Sequence, residues 1–390
     1  MSVVVGCGSS ATSSAARGVA EAARDAATEL GGRPCDLAVV FVAGDLATAA
    51  DAVLDVVDEE LAPTQLVACT ASGILAGAEE LTSGPAVVVW AMALSGGASV
   101  EVTALTAEQV DSGIEVRGLP DADEDERTSA VILLVDPAQL PLDVTLRAFE
   151  QRLPTVPVIG GVASLIPRPD PPLLCRPGTR GGAGLALRFR GVDVLPCVSQ
   201  GARPIGPELT VTVGGSGAIH QLAGRPAIDV LRDTINELPE DERGLIQHGL
   251  LLGVAVGGAS DEQEPDDYIV RGLAAADTET GAVAIGAPVE VGQTVRLHVR
   301  DPESASRDLV DALRLRREAA GSARIAGALA FTCNGRGREM FGFDDHDADT
   351  IQHELGPVPL AGMVSAGEIG PVGGRPFAHS FTATVAVFLS

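Results

Sequence analysis

The segment CNGRGR, residues 333–338, places a thiol, a carboxamide, two guanidiniums and two glycines directly after the apolar run GALAFT. Gly335 and Gly337 allow the backbone to approach a ligand closely or to take positive φ, while Asn334 and Arg336 can grip a carboxylate through amide and fork hydrogen bonds. The competing reading is a turn in which Arg336 caps carbonyls or pairs with a nearby acid. Glu368 stands alone among small and apolar residues in SAGEIGP (365–371), and it can either bind an amino group or be that acid. A nucleophilic role for Cys333 or Cys69 needs a base or a positive field to form the thiolate. The arginines supply charge, but neither local motif contains a His, and small core residues at strand ends are the other reading of both thiols.

Three stretches share a pattern: LVACTASGILAG (66–77), VPVIGGVASLI (156–166) and VPLAGMVSAGEIG (358–370) each pass from an apolar strand into small and hydroxyl residues. Little side-chain bulk at the carboxyl end of a strand leaves space where open α/β sheets bind ligands. Cys69, Thr70 and Ser72, then Gly160, Gly161 and Ser164, then Ser365 and Glu368 are therefore candidates to line a common cavity with Cys333, Asn334, Gly335 and Arg336. Thr70 and Ser365 would supply hydroxyls, the glycines shape and Arg336 charge. A plain turn is the alternative at each place.

The elements that must position these residues follow from hydrophobic period and punctuation. A helix is expected over 12–30, closed by Gly31-Gly32, then a buried strand over 36–44, a helix near 46–61, and strands at 65–70 and 86–94. Strands alternating with helices imply parallel pairing through crossover helices. A second round has a strand within 129–140, a helix near 143–152, a strand within 156–164 and strands over 184–201. The acidic run 121–129 and the Pro/Gly-rich segment 167–182 read as loops. Residues 208–224 alternate around a Gly-Gly-Ser-Gly turn, a hairpin signal, and helix 226–238 and four antiparallel strands between 249 and 301 follow. The last section holds helix 303–320, strand 323–333, helix 347–355 and a final strand over 377–389. The fold expected is two-domain α/β (α+β) with internal pseudo-repeats: a mixed sheet over 1–195 and a largely antiparallel sheet over 196–390.

Composition narrows the function. The chain of 390 residues carries 53 acidic against 27 basic side chains, a net charge of −26, which opposes binding to nucleic acid or anionic membranes. Ala- and Arg-rich acidity suggests a high-GC or salt-adapted bacterium or archaeon. Aromatics make up only 3%, so Ala, Val, Leu and Ile must fill the core, as suits sheets covered by helices. Six dispersed cysteines without a C-x-x-C pair or zinc spacing imply a reducing, cytoplasmic setting, and no leader or membrane span is expected. DDHDAD (344–349) lacks the spacing of a calcium loop, and helix capping by Asp345 or Asp347 explains it better. No P-loop is present.

Taken together, DLAVVFVAG with QLVACTASGILAG, then VSQGARPIGPELTVT (198–212) with residues 268–301, then GALAFTCNGRGREMFG (327–342) with VPLAGMVSAGEIGPVGGRPFAHSFTAT (358–384), resemble the FIST family, a two-part sensory module. The resemblance implies a sensor, not an enzyme, that binds a small ligand, with amino acids or their derivatives as the class, and the ligand is expected between the two domains. Many members carry a fused output domain; none is expected here, so the signal would pass to a separate protein. One bacterial subgroup resembles this module and binds haem to sense nitric oxide. That alternative directs attention to His346, His353 and His379, although no C-x-x-C-H attachment site exists and acidic surroundings suit a haem pocket poorly.

Overall fold

The computed structural model describes residues 3–12, 15–111, 113–121, 127–164, 172–176, 182–215, 217–256, 268–285 and 289–390. The acidic stretch 122–126, most of segment 167–182 and Ser216 of the hairpin turn lie outside these residues. Two compact units emerge: one joins Met1–Ser199 to Leu309–Ser390, and the other is Gln200–Asp308.

The first unit is built on three strand–helix–strand repeats. Strand Leu37–Ala43, helix Ala50–Leu61 and strand Gln65–Ala71 form the first; Thr128–Val135, Leu142–Arg152 and Val158–Val162 the second; Ile325–Cys333, His346–Leu355 and Leu360–Ser365 the third. In each, the two strands pair in parallel, because a helix carries the chain back to the same end before the second strand begins. The echo visible in the sequence is thus a threefold structural repeat.

Each parallel pair sits in its own mixed sheet, of five, seven and six strands respectively. The alternation of side chains is legible position by position. Val39, Phe41, Ile132, Leu134, Leu329 and Phe331 face one core shared by all three sheets. Their neighbours Ala38, Val40, Val131, Leu133, Ala328 and Ala330 face the outer helices. Both faces are therefore dry, which is why these strands read as unbroken apolar runs. The few aromatics pack across the seams: Phe41 lies 6.1 Å from Phe331, and Phe388 lies 5.1 Å from Trp90 and 5.2 Å from Phe189.

Parallel pairing is less extensive than the alternation of elements implies. Strand Ala86–Leu94 runs antiparallel to Leu37–Ala43, and a further strand, Val3–Ser10, adds antiparallel to it. The reason is the connection: residues 74–81 form a hairpin, not a helix, and strand Ile74–Ala76 pairs with Leu360–Ser365 in another sheet. The chain therefore re-enters the first sheet in the opposite direction. The final apolar run also divides, into Arg375–His379 and Thr382–Leu389, around Phe381 at φ 63°.

The second unit is antiparallel throughout its described pairs. Strand Ala202–Gly215 pairs along one edge with Thr294–Arg300 and continues into a hairpin with Ala218–Leu222. Leu250–Ala255 and Tyr268–Gly272 extend the sheet, and helix Ala227–Glu237 packs Val230 and Leu231 on its apolar face. No helix among the described residues is long and apolar enough to cross a membrane.

His298 is the unusual member of this unit. It is 1% exposed and stacks edge-on to Tyr268 at 5.2 Å. Its Nδ1 lies 3.0 Å from the Arg296 carbonyl, whereas Nε2 has no partner. A Cβ at Gly253 would stand 2.3 Å from the ring, so only glycine fits opposite it. Burial pulls His298 down to about 4 from an ordinary 6.5. Between those values the unfolded chain binds the extra proton, so stability falls as pH falls. Denaturation followed at Tyr268, the single tyrosine, is expected to show the second unit losing roughly 2–4 kcal/mol between pH 6.5 and 4. His298→Phe should flatten that slope; an unchanged slope would mean that another group carries it.

Candidate functional site

The carboxyl ends of the three repeats are tied to one another by a hydroxyl knot. Ser164 Oγ accepts the Ser72 N–H at 2.9 Å, lies 3.1 Å from Ser72 Oγ and donates to the Val364 carbonyl. Val364 N–H in turn donates to Gly73 at 2.9 Å, Ala366 N–H to Val162 at 3.0 Å, and Asn334 N–H to Ser365 at 2.9 Å. Ser72 and Ser164 were expected as ligand contacts, and the structure places both in this knot. Ser72, Asn334 and Ala366 remain exposed and mark the surface above it.

Gly160 and Gly161 pair with Ile369 and Glu368 across an antiparallel ladder. A Cβ at Gly161 would fall 2.5 Å from Ser365 Oγ and 2.8 Å from Phe331, and one at Gly160 would fall 1.9 Å from the Leu133 carbonyl. The absence of side chains here is what lets one sheet's backbone press against Ser365.

Some polar atoms near the strand ends are not satisfied by the protein itself. Thr70 Oγ1, Ser365 Oγ and Glu368 Oε1 are buried without a hydrogen-bond partner, on residues 1%, 0% and 0% exposed. Thr384 Oγ1, on the neighbouring strand Thr382–Leu389, is a fourth. Interiors pair the great majority of such groups, because each one left unmade costs about 1–3 kcal/mol. Glu368 Oε2 accepts the Thr382 N–H at 3.2 Å, but burial still pushes this carboxyl well above the ordinary range. Three of the residues singled out at strand ends thus carry unmet polar atoms.

Arg336 is committed elsewhere. Its guanidinium forms a bidentate pair with Asp347, at 2.7 and 2.8 Å, with both side chains 1% exposed. Nη1 reaches the Phe381 carbonyl at 3.4 Å, and the group lies 5.1 Å from the Phe341 ring centre. His346 stacks on that same ring at 3.4 Å and places Nδ1 2.8 Å from Asp347. Burial pushes Asp347 upward, yet Arg336 outweighs it and holds the carboxyl well below its usual range. The acid that partners Arg336 is therefore Asp347.

The cap of helix His346–Leu355 also comes from an unexpected source. Asp345 occupies the capping position at φ 66° without a side-chain cap bond. Glu80 supplies the acceptor: its Oε1 takes the N–H groups of Asp347 at 2.7 Å and Ala348 at 3.2 Å, while Asp345 accepts Glu80 N–H at 2.6 Å. Glu80 sits on the short strand Glu79–Leu81, and nothing in its local sequence signals a partner more than two hundred and fifty residues away. Apposing carboxylates and burial raise its pKa, burial being the larger cause.

Neither candidate thiol is poised as a nucleophile. Burial, then the nearby Glu368, pushes Cys333 up to about 11; burial, then Asp136, raises Cys69 further. Of the histidines, His379 Nε2 lies 3.0 Å from the Gly370 carbonyl and His346 is held as above. His353 is exposed on a separate cleft of about 670 Å³ with Cys7, Glu29 and Asp349, which none of the sequence-derived site residues lines.

Removing Arg336 would leave Asp347 buried beside the His346 imidazole with no guanidinium to balance it. Arg336→Ala is expected to cost about 3–5 kcal/mol in urea denaturation followed at Trp90, with Arg336→Lys recovering only part because an ammonium cannot reproduce the fork. An Arg336→Ala chain as stable as the original would show that the pair does not hold this loop. Since Asp347 is depressed, the pair's contribution is present above a pH of about 3.9 and is lost as pH falls further.

Comparison with known proteins fits this architecture. Residues 36–225 match the FIST N domain and residues 227–371 the FIST C domain. An uncharacterized protein of Mycobacterium bovis is 40% identical over 391 residues, covering 99% of this chain and 98% of that protein. An uncharacterized protein of Mycobacterium tuberculosis is 39% identical over 389 residues, covering 99% of each. A solved cyanuric acid hydrolase aligns over 99% of this chain and 100% of its own at 11% identity, but its TM-score of 0.28 is too low to bear on fold or function. FIST domains are associated with small-ligand sensing in signal transduction. With both domains matched in order across most of its length, this chain belongs to the FIST family.

Proposed function

We propose that this chain is a cytoplasmic bacterial sensor that binds a small polar molecule, an amino acid or derivative, where the three repeats end, and passes the signal to a separate protein. One observation carries the reading: Ser365 Oγ and Glu368 Oε1 are buried polar atoms without partners, beside strand ends that are knotted together. A ligand entering at the rim of Ser72, Asn334 and Ala366 would satisfy the Ser365 hydroxyl and the Glu368 carboxyl. Binding rather than catalysis is supported by thiols that stay protonated at neutral pH. The mycobacterial relatives support a bacterial source, and six thiols without a disulfide among the described residues support a reducing compartment.

Unmet groups that serve a ligand leave a stability signature. Ser365→Ala deletes an unsatisfied hydroxyl and is expected to leave the free protein as stable as before, or more so. Glu368→Gln replaces a carboxyl that pays for its burial as pH rises above the unfolded value of 4.5, so it should be stabilising at pH 7. Thermal shift against the twenty amino acids and related metabolites should give the unsubstituted chain about 2.7 kcal/mol at a hundredfold excess over Kd. Both variants should lose most of that gain. Retention of the full gain in both would move the ligand away from these strand ends.

A further inference from the structure

Glu368 has too few donors around it to be a structural acid. The titratable and charged groups that face it are Cys333 on the adjoining strand end, Arg336 and Asp347 beyond it, and His379, its register partner on strand Arg375–His379. Arg336 spends Nε and Nη2 on Asp347 and turns Nη1 to the Phe381 carbonyl. His379 directs Nε2 at Gly370. Cys333 Sγ lies 3.7 Å from the Asn334 side-chain oxygen and accepts from Gly335 N–H. What remains for the carboxyl is the Thr382 N–H on Oε2 and the weak donor of the Cys333 thiol, and Oε1 has no hydrogen-bond partner.

The charge balance points the same way. Arg336 and Asp347 neutralise each other, so an ionised Glu368 would be an uncompensated negative charge at 0% exposure. Such a group stays neutral until a cation arrives. Conversely, the cation expected to grip a ligand carboxylate, Arg336, has its fork filled, and Ser365 offers a neutral hydroxyl.

We propose that Glu368 is the receptor for a primary ammonium group, and that the amine rather than a carboxylate decides which molecules this site takes. This rests on the ligand-sensor reading above. The ligand arrives as R–NH₃⁺ and lays an N–H on Oε1; the carboxyl O–H bond breaks, its proton leaves to solvent, and an ion pair remains. No electron changes hands, and one proton is released for each ligand bound. Decarboxylated amines should therefore bind about as well as the amino acids they derive from. The sensor responds to cationic amines, and more strongly as pH rises.

The test is titration calorimetry on the full chain with three matched sets: L-amino acids, the amines formed by their decarboxylation, and the 2-hydroxy acids in which hydroxyl replaces amine. Each is run at one pH in phosphate and in Tris, whose ionisation enthalpies differ. Amino acid and matching amine are expected within roughly threefold of each other, with the hydroxy acid weaker by tenfold or more, about the discrimination of a charged partner over a neutral one. The buffer difference should correspond to about one proton released, and affinity should rise by up to about tenfold per pH unit between pH 5 and 6. Glu368→Gln, close in shape to the protonated acid, should abolish the buffer difference and weaken amine binding at least tenfold. Hydroxy acids that bind as tightly as amino acids, or amines that bind without proton release, would overturn the proposal while leaving a ligand sensor in place. Failure of all three sets to bind would remove the sensor reading and this proposal with it.

Discussion

The pairing of Arg336 with Asp347 governs the site more than any other contact. Taking two charges out of water costs several kcal/mol each, and only a bidentate geometry with further hydrogen bonds repays it. Here that geometry is present: Arg336 offers Nε and Nη2 to the carboxylate and Nη1 to the Phe381 carbonyl, His346 supports the carboxylate, and the Phe341 ring covers the assembly. The consequence is felt at Glu368. With the local cation spent, a carboxyl at the end of the third repeat is left neutral and short of a donor.

The same pair fixes the loop that follows the strand Ile325–Cys333. CNGRGR looks like a grip for an anion because its residue types are those of one. In the folded chain it is a clasp between that strand and helix His346–Leu355, closed from the other side by Glu80. Positive charge in a glycine-rich loop is thus compatible with a purely positional role.

Three knotted strand ends around buried, unsatisfied hydroxyl and carboxyl groups are an expensive arrangement. Each orphan costs on the order of 1–3 kcal/mol, against net stabilities of about 5–15 kcal/mol for whole domains. The core shared by three sheets is what sustains it, because side chains on both faces of every central strand are dry and tightly packed. Ser164 and Ser365, at the ends of two different strands, show the contrast: the Ser164 hydroxyl accepts from Ser72 and donates to Val364, so it holds the ends together, while the Ser365 hydroxyl has no partner.

Much of this was written in local pattern. The apolar runs at 37–43, 128–135 and 325–333, the helices after them, and the shift to Ala, Gly and Ser at 71–73, 163–164 and 365–367 follow from period and residue size, which a short window contains. That Thr70, Ser365 and Glu368 carry the unmet atoms could be suspected for the same reason: a polar group at the end of a buried strand has few neighbours to satisfy it. What no window contains is the partner of a charge. Asp347 rather than Glu368 for Arg336, Glu80 as the cap of a helix in the other half of the chain, and the reversed entry of strand Ala86–Leu94 were all decided when distant segments came into register. Backbone geometry is set by neighbours in sequence, but the pairing of buried charges is set by whichever groups the packed sheets bring within 3 Å.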